Sequence, residues 1–167
     1  MLRMSLGYSD FQCPYCARFA QEILPEIDRK YIQTGRVQLA FRHLPLPMHQ
    51  NAVIAAIGAE CAGTQRRFWE MHDKLFAAGR IDESAIVAIA QSLKLDTKIF
   101  TNCLSDSGVR ERVLASATTG RTLGLNGTPA FLLGSRVGKR SVKISTTISG
   151  AKPLNEFVEN LEHILRD

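Results

Sequence analysis

Two apolar periodicities, and the order in which they occur, constrain this chain more than any other feature. Leu2, Met4, Leu6 and Tyr8 alternate with Arg3, Ser5 and Gly7, the period of a strand. Phe19, Ile23, Leu24, Ile27 and Tyr31 then recur at helical spacing as far as Gly35, and Pro25 is expected to kink that helix. Val37, Leu39 and Phe41 alternate as a second strand, closed by Leu44-Pro45-Leu46-Pro47. From Met48 to Leu125 the stripes are helical. Val53, Ile54, Ile57 and Cys61 share one face, and Phe68, Met71, His72 and Leu75 another. Ile86, Val87, Ile89, Ala90 and Leu93 follow an Asp82 cap, and Ile99, Phe100, Cys103 and Leu104 follow Asp96. A longer helix is expected from Gly108 to Thr122. Gly127-Thr128-Pro129 introduces a strand over Ala130 to Leu133, with Val142 to Ser149 returning as its hairpin partner. Pro153 opens a last amphipathic helix with Leu154, Phe157, Val158, Leu161, Ile164 and Leu165 inward.

The order is therefore β-α-β, a helical block, then β-β-α. It implies one α/β domain over residues 1–167, a central mixed sheet flanked by helices. The βαβ half spans 1–44, the all-helical insertion 48–125 and the ββα half 126–167. A chain of 167 residues, 45% hydrophobic, can bury one sizeable core, and no internal repeat or long linker divides it.

Charge excludes some classes of function. The net charge of +5 is dispersed, and its densest cluster, Arg136 to Lys143, lacks the interleaved aromatics of a nucleic-acid platform. No apolar run approaches the roughly 18 residues of a membrane span. The opening Met1 to Leu6 is too short and interrupted for a signal peptide, which leaves a cytoplasmic protein or an absent leader.

Chemistry concentrates at Phe11-Gln12-Cys13-Pro14-Tyr15-Cys16-Ala17-Arg18, at the turn from strand to helix. A structural zinc site needs four ligands, but no second Cys-x-x-Cys exists, and His43, His49, His72 and His163 show no paired spacing. A staple closing so small a loop would constrain the unfolded chain little. A redox pair fits better. Cys13 at a helix N-terminus gains thiolate stabilisation from free N–H groups, and Pro14 suits the first turn. Cys16, one turn on and more buried, can resolve a mixed disulfide.

Asp10 to Cys16 closely resembles the active-site segment of DsbA-like thiol–disulfide oxidoreductases of the thioredoxin superfamily. The resemblance continues through Phe41 to Leu46, Phe68 to His72, Asn126 to Phe131 and Ile148 to Leu154, in order along nearly the whole chain. It implies a thioredoxin-like fold with a helical insertion, and a cis Thr128–Pro129 bond beside the cysteines. Thr128 would then offer its backbone to a bound peptide. It implies no dissociable cofactor, cysteine-containing client proteins, a redox recycling partner and a periplasmic or cell-envelope address. One departure stands out: Gly7 lies where relatives often carry an acid that handles the buried cysteine's proton. Glu22 and Asp10 are near in sequence and read as surface charges. Cys61 and Cys103 read either as two buried thiols or, as the resemblance implies, as a second disulfide. Phe68, Trp69 and Phe76 read as core. A monomer is expected, because no residues remain for the separate dimerisation domain typical of envelope isomerases. The rival readings are a glutaredoxin-like, glutathione-dependent reductase, since Cys-Pro-Tyr-Cys also resembles that centre, and a chaperone or adaptor using the same groove without turnover.

Overall fold

The structure, a computed structural model, describes residues 2–166. Its centre is a four-stranded sheet ordered β2-β1-β3-β4, built from β1 (Arg3–Ser9), β2 (Val37–His43), β3 (Ala130–Val137) and β4 (Ser141–Ser149). β1 runs parallel to β2, with Arg3 opposite Val37, and antiparallel to β3, with Tyr8 opposite Ala130. β1 is thus an inner strand covered on both faces. Ser5 and Gly7 are buried along with Met4 and Tyr8, so its polar–apolar alternation does not mark a wet face. The β3–β4 pairing slips between Leu133 and Gly134. A Cβ on Gly134 would lie 2.0 Å from the Lys143 carbonyl oxygen, so only glycine admits this approach.

The helical crossover between β1 and β2 is continuous but not uniform. It passes from α1 (Pro14–Arg18) through a π-turn (Phe19–Ile23) to α2 (Leu24–Ile27) and a second π-turn (Asp28–Ile32). Pro25 falls in the first turn of α2, directly after the first π-turn. The wider turn absorbs the missing N–H, so the irregularity expected at Pro25 takes the form of a π-turn on its N-terminal side. Phe19, Ile23, Ile27 and Tyr31 face inward. They meet Phe131 and Leu133 of β3, and Phe157, Leu161 and Ile164 of the last helix, α8 (Leu154–Arg166).

Between β2 and β3 lie α3 (Ala52–Thr64), α4 (Phe68–Ala77), α5 (Glu83–Ser92), α6 (Thr97–Leu104) and α7 (Ser107–Thr122). Asp82 and Asp96 cap α5 and α6, accepting the N–H groups of Ala85 and Ile99. α3 runs through the middle of this group, buried from Ala55 to Ala59. Its small residues let neighbours close in, and a Cβ on Gly58 would meet Ile86 Cγ2 at 2.6 Å. Cys61 of α3 and Cys103 of α6 form a disulfide with Cα atoms 5.7 Å apart. Ile99 departs from the expected stripe: it is 54% exposed. α6 has eight residues, and Phe100 and Leu104, one turn apart, already fill its contact face. No helix among the described residues is long and apolar enough to cross a membrane.

Candidate redox site at the start of the first helix

Cys13 is the N-cap residue of α1, in extended conformation, and Pro14 begins the helix. The loop before it is organised by Asp10, which is 1% exposed. Its carboxylate accepts the backbone N–H groups of Gln12 and Leu46, each at 2.7 Å, and pairs with His49 Nδ1 at 2.8 Å. Of the two acids read as surface charges, Glu22 is one, exposed and paired with Arg18. Asp10 is not: two amides and an imidazole take the place of water around it, and they tie the cysteine loop to the segment after β2.

Cys13 and Cys16 are both free thiols, 4% and 1% exposed. Cys13 Sγ stands 3.5 Å from the carbonyl oxygen of Thr128, and the Thr128–Pro129 peptide bond is cis. Pro129 lies against the same small cavity as Cys16. The electrostatics of the two sulfurs diverge. Hydrogen bonding from the Cys16 thiol is the largest influence on Cys13. Against the opposing effect of burial, and with help from the Thr128 hydroxyl and the N–H groups of Cys16 and Tyr15, it holds Cys13 down to about 5. Burial, then the same bond to Cys13, pushes Cys16 far up; the Ser9 and Thr128 hydroxyls offset only part of this. Negative charge therefore settles on Cys13 while Cys16 keeps its proton. Tyr15, between them, is 62% exposed and brings no charge to the pair.

Behind Cys16 is a cavity of about 20 Å³ lined by Gly7, Ser9, Cys16, Phe41, His72 and Pro129, among others. It adjoins a wider groove of about 520 Å³ bordered by Leu24, Pro25, Asp28, Trp69 and Asp73. Trp69 was expected in the core; it is 43% exposed. α4 turns Met71, His72, Leu75 and Phe76 inward, which leaves Trp69 at the edge of that face, against Phe41 and Phe68. His72 read as one position of an apolar stripe; nothing in its spacing placed it on the cavity that Cys16 also lines. His43, also buried, bonds through Nε2 to Glu60 Oε1 at 2.7 Å, a bond that holds the Glu60 carboxyl below its ordinary range. No signal in the sequence marked that pair. Among the described residues no group of three or more His, Cys, Asp or Glu could hold a metal ion.

The sequence model of the thioredoxin family matches residues 6–148, and the chain belongs to that family. It is similar to the Na(+)/H(+) antiporter NhaA 1 of Salinispora arenicola, at 34% identity over 131 residues that cover 77% of this chain and 20% of that protein. It is also similar to the probable disulfide bond formation protein D of Bacillus anthracis, at 26% identity, covering 74% of this chain and 61% of that one. The chain thus spans about a fifth of the length of the first of these relatives and about three fifths of the second. Among solved structures, α-DsbA1 of Wolbachia pipientis superposes with a TM-score of 0.86 at 22% identity, covering 99% of this chain and 86% of that one. BdbD of Bacillus subtilis superposes at 0.83 and 20% identity, covering 99% and 88%. The fold is therefore the thioredoxin-like fold with a helical insertion seen in these DsbA structures.

Proposed function

We propose that this chain is a thiol–disulfide oxidoreductase of the DsbA type and works as a donor of disulfides to protein thiols. The observation that carries the reading is the placement of two free thiols one turn apart at a helix start, with Cys13 Sγ 3.5 Å from the Thr128 carbonyl before the cis Pro129; the lowering of Cys13 and raising of Cys16 agree with it. In the oxidised form a client thiolate attacks Cys13 Sγ, the Cys13–Cys16 bond breaks, and Cys16 leaves with the electron pair and takes up a proton. A second client thiolate then attacks the client sulfur of the mixed disulfide. The client gains a disulfide, and Cys13 departs as the thiolate that its surroundings stabilise. Stabilising that thiolate stabilises the reduced protein, which makes the disulfide form an oxidant.

Thr128, whose backbone lies beside Cys13, is where an extended client segment would pair with the chain. The Cys61–Cys103 disulfide favours an oxidising compartment, the periplasm or cell envelope, over the cytoplasm. The partners are cysteine-containing clients and a recycling oxidant. The test supplies a reduced, unfolded substrate and a scrambled one separately, and records the mass in solution. A monomer that oxidises readily and isomerises poorly supports the reading. A stable dimer that reshuffles faster than it oxidises contradicts it.

A further inference from the structure

Cys16 presents a problem of proton transfer. Its thiol is 1% exposed, yet each exchange cycle must remove or return its proton. Gly7, on the strand beneath it, carries no side chain that could do so, and Asp10 is fully engaged with Gln12, Leu46 and His49. The cavity behind Cys16 measures about 20 Å³, room for a single water. Its polar lining includes Cys16 itself, Ser9 and His72. His72 is 2% exposed and packed edge-on among Phe11, Phe41 and Phe76, so its ring is held in one orientation. Nδ1 is fixed to Asp73 Oδ1 at 2.8 Å, so a proton exchanged between this ring and the cavity must pass through Nε2.

We propose that His72 is the proton acceptor and donor for Cys16, acting through one water held in the cavity that Gly7 leaves open. When Cys16 attacks a mixed disulfide at Cys13, its proton passes to the water and a proton of the water to Nε2. The Cys13–Cys16 bond forms, the bond to the client sulfur breaks, and the client leaves as a thiolate. Asp73 faces the resulting imidazolium at Nδ1 and stabilises it. In the donor direction the same steps run backwards, and His72 returns the proton to the departing Cys16. The titratable groups around His72 are Asp73 on its own helix, bonded to Nδ1, and Cys16, which lines the same cavity; Asp28 stands at the rim of the adjoining groove.

This inference rests on the exchange reading, and its test keeps the two apart. The reduced protein, with Cys61–Cys103 intact, is mixed with dithiobis(nitrobenzoate) and the release of coloured thiolate is followed by stopped flow. The first equivalent reports attack by Cys13, and the second reports intramolecular attack by Cys16. His72→Gln is expected to slow the second phase on the order of a hundredfold. It should remove one ionisation from the pH–rate profile of that phase and leave the first phase within about twofold. Gly7→Asp, added to His72→Gln, places a carboxylate beside the cavity and should restore part of the lost rate; its Cβ meets the Phe131 ring at 3.3 Å, and that ring is packed against Phe19 and Phe157, so the melting transition of this variant is recorded first. Should His72→Gln fail to fold, Asp73→Asn, at an exposed carboxylate, should slow the second phase several-fold without touching the first. Second phases equal to wild type in these variants would overturn the role of His72. A wild-type protein that releases no second equivalent would overturn the exchange reading itself.

Discussion

Cys13 Sγ lies 3.5 Å from the carbonyl oxygen of Thr128, a residue 115 positions further along the chain. The contact joins the turn after β1 to the turn before β3, two strands that are neighbours in the sheet. A sulfur poised to attack is thereby set beside a backbone segment able to bind an extended chain. With Cys13 held down to about 5, its alkylation by iodoacetamide should follow a single ionisation near that pH and be flat above about pH 6. Cys16 should not react at neutral pH in the folded protein. Equal rates for the two thiols would contradict this assignment.

The two cysteines also differ in what their loss does. Cys16→Ser should accumulate a mixed disulfide with a reduced client, visible as a mass increase that dithiothreitol reverses. Cys13→Ser should form none, because the remaining thiol is buried and protonated.

Linkage sets the pH dependence of the reduced form. The folded value for Cys13 is lowered from 9.0 to about 5, so the unfolded chain binds the extra proton between those limits. Stability of the reduced protein should rise with pH across that window and be lost as pH falls through about 5. Cys16, raised in the folded state, acts in the opposite sense only above the unfolded thiol's value. The disulfide form has neither group. The difference in melting temperature, reduced minus oxidised, should therefore grow from acid to mildly alkaline pH. A difference that is constant with pH would contradict the thiolate.

Cys61 and Cys103 are 42 residues apart in sequence, and their bond ties α3 to α6. Closing a loop of that length stabilises the fold by up to about 4 kcal/mol. The double variant Cys61→Ala, Cys103→Ala should lose roughly 2–4 kcal/mol in denaturant unfolding while both nitrobenzoate phases are kept.

Much of this was legible in the sequence. The strand and helix periods report local geometry, and they gave the element order and the place of Cys13 at the start of a helix. What escaped depends on neighbours far away in the chain. Asp10 looked like any surface acid until Leu46 and His49 came round to it. Trp69 and His72 belong to one helix, and only its angle to Phe41 and Cys16 brings both to the cavity and leaves Trp69 on the groove as well. Pro25 signalled an irregular helix, but not that a π-turn before it would absorb the missing N–H. Gly134 carried no distinguishing mark, although a Cβ there would lie 2.0 Å from a backbone oxygen. Gly134→Ala should therefore lower the melting temperature by several degrees, a loss of about 1–3 kcal/mol, with no change in the reactivity of Cys13.

The most direct test of the central claim is the reduction potential of the Cys13–Cys16 pair, measured by equilibration against glutathione buffers with the trapped thiols counted by mass. Pro14-Tyr15 adds no positive charge, so thiolate stabilisation comes from hydrogen bonds and the helix start alone. A single two-electron transition is expected between about −270 mV, where thioredoxin lies, and about −120 mV, where DsbA lies. It should vanish in Cys13→Ser. A potential at or below about −270 mV would contradict the disulfide-donor reading, and a pair with no reversible transition would contradict thiol–disulfide exchange altogether.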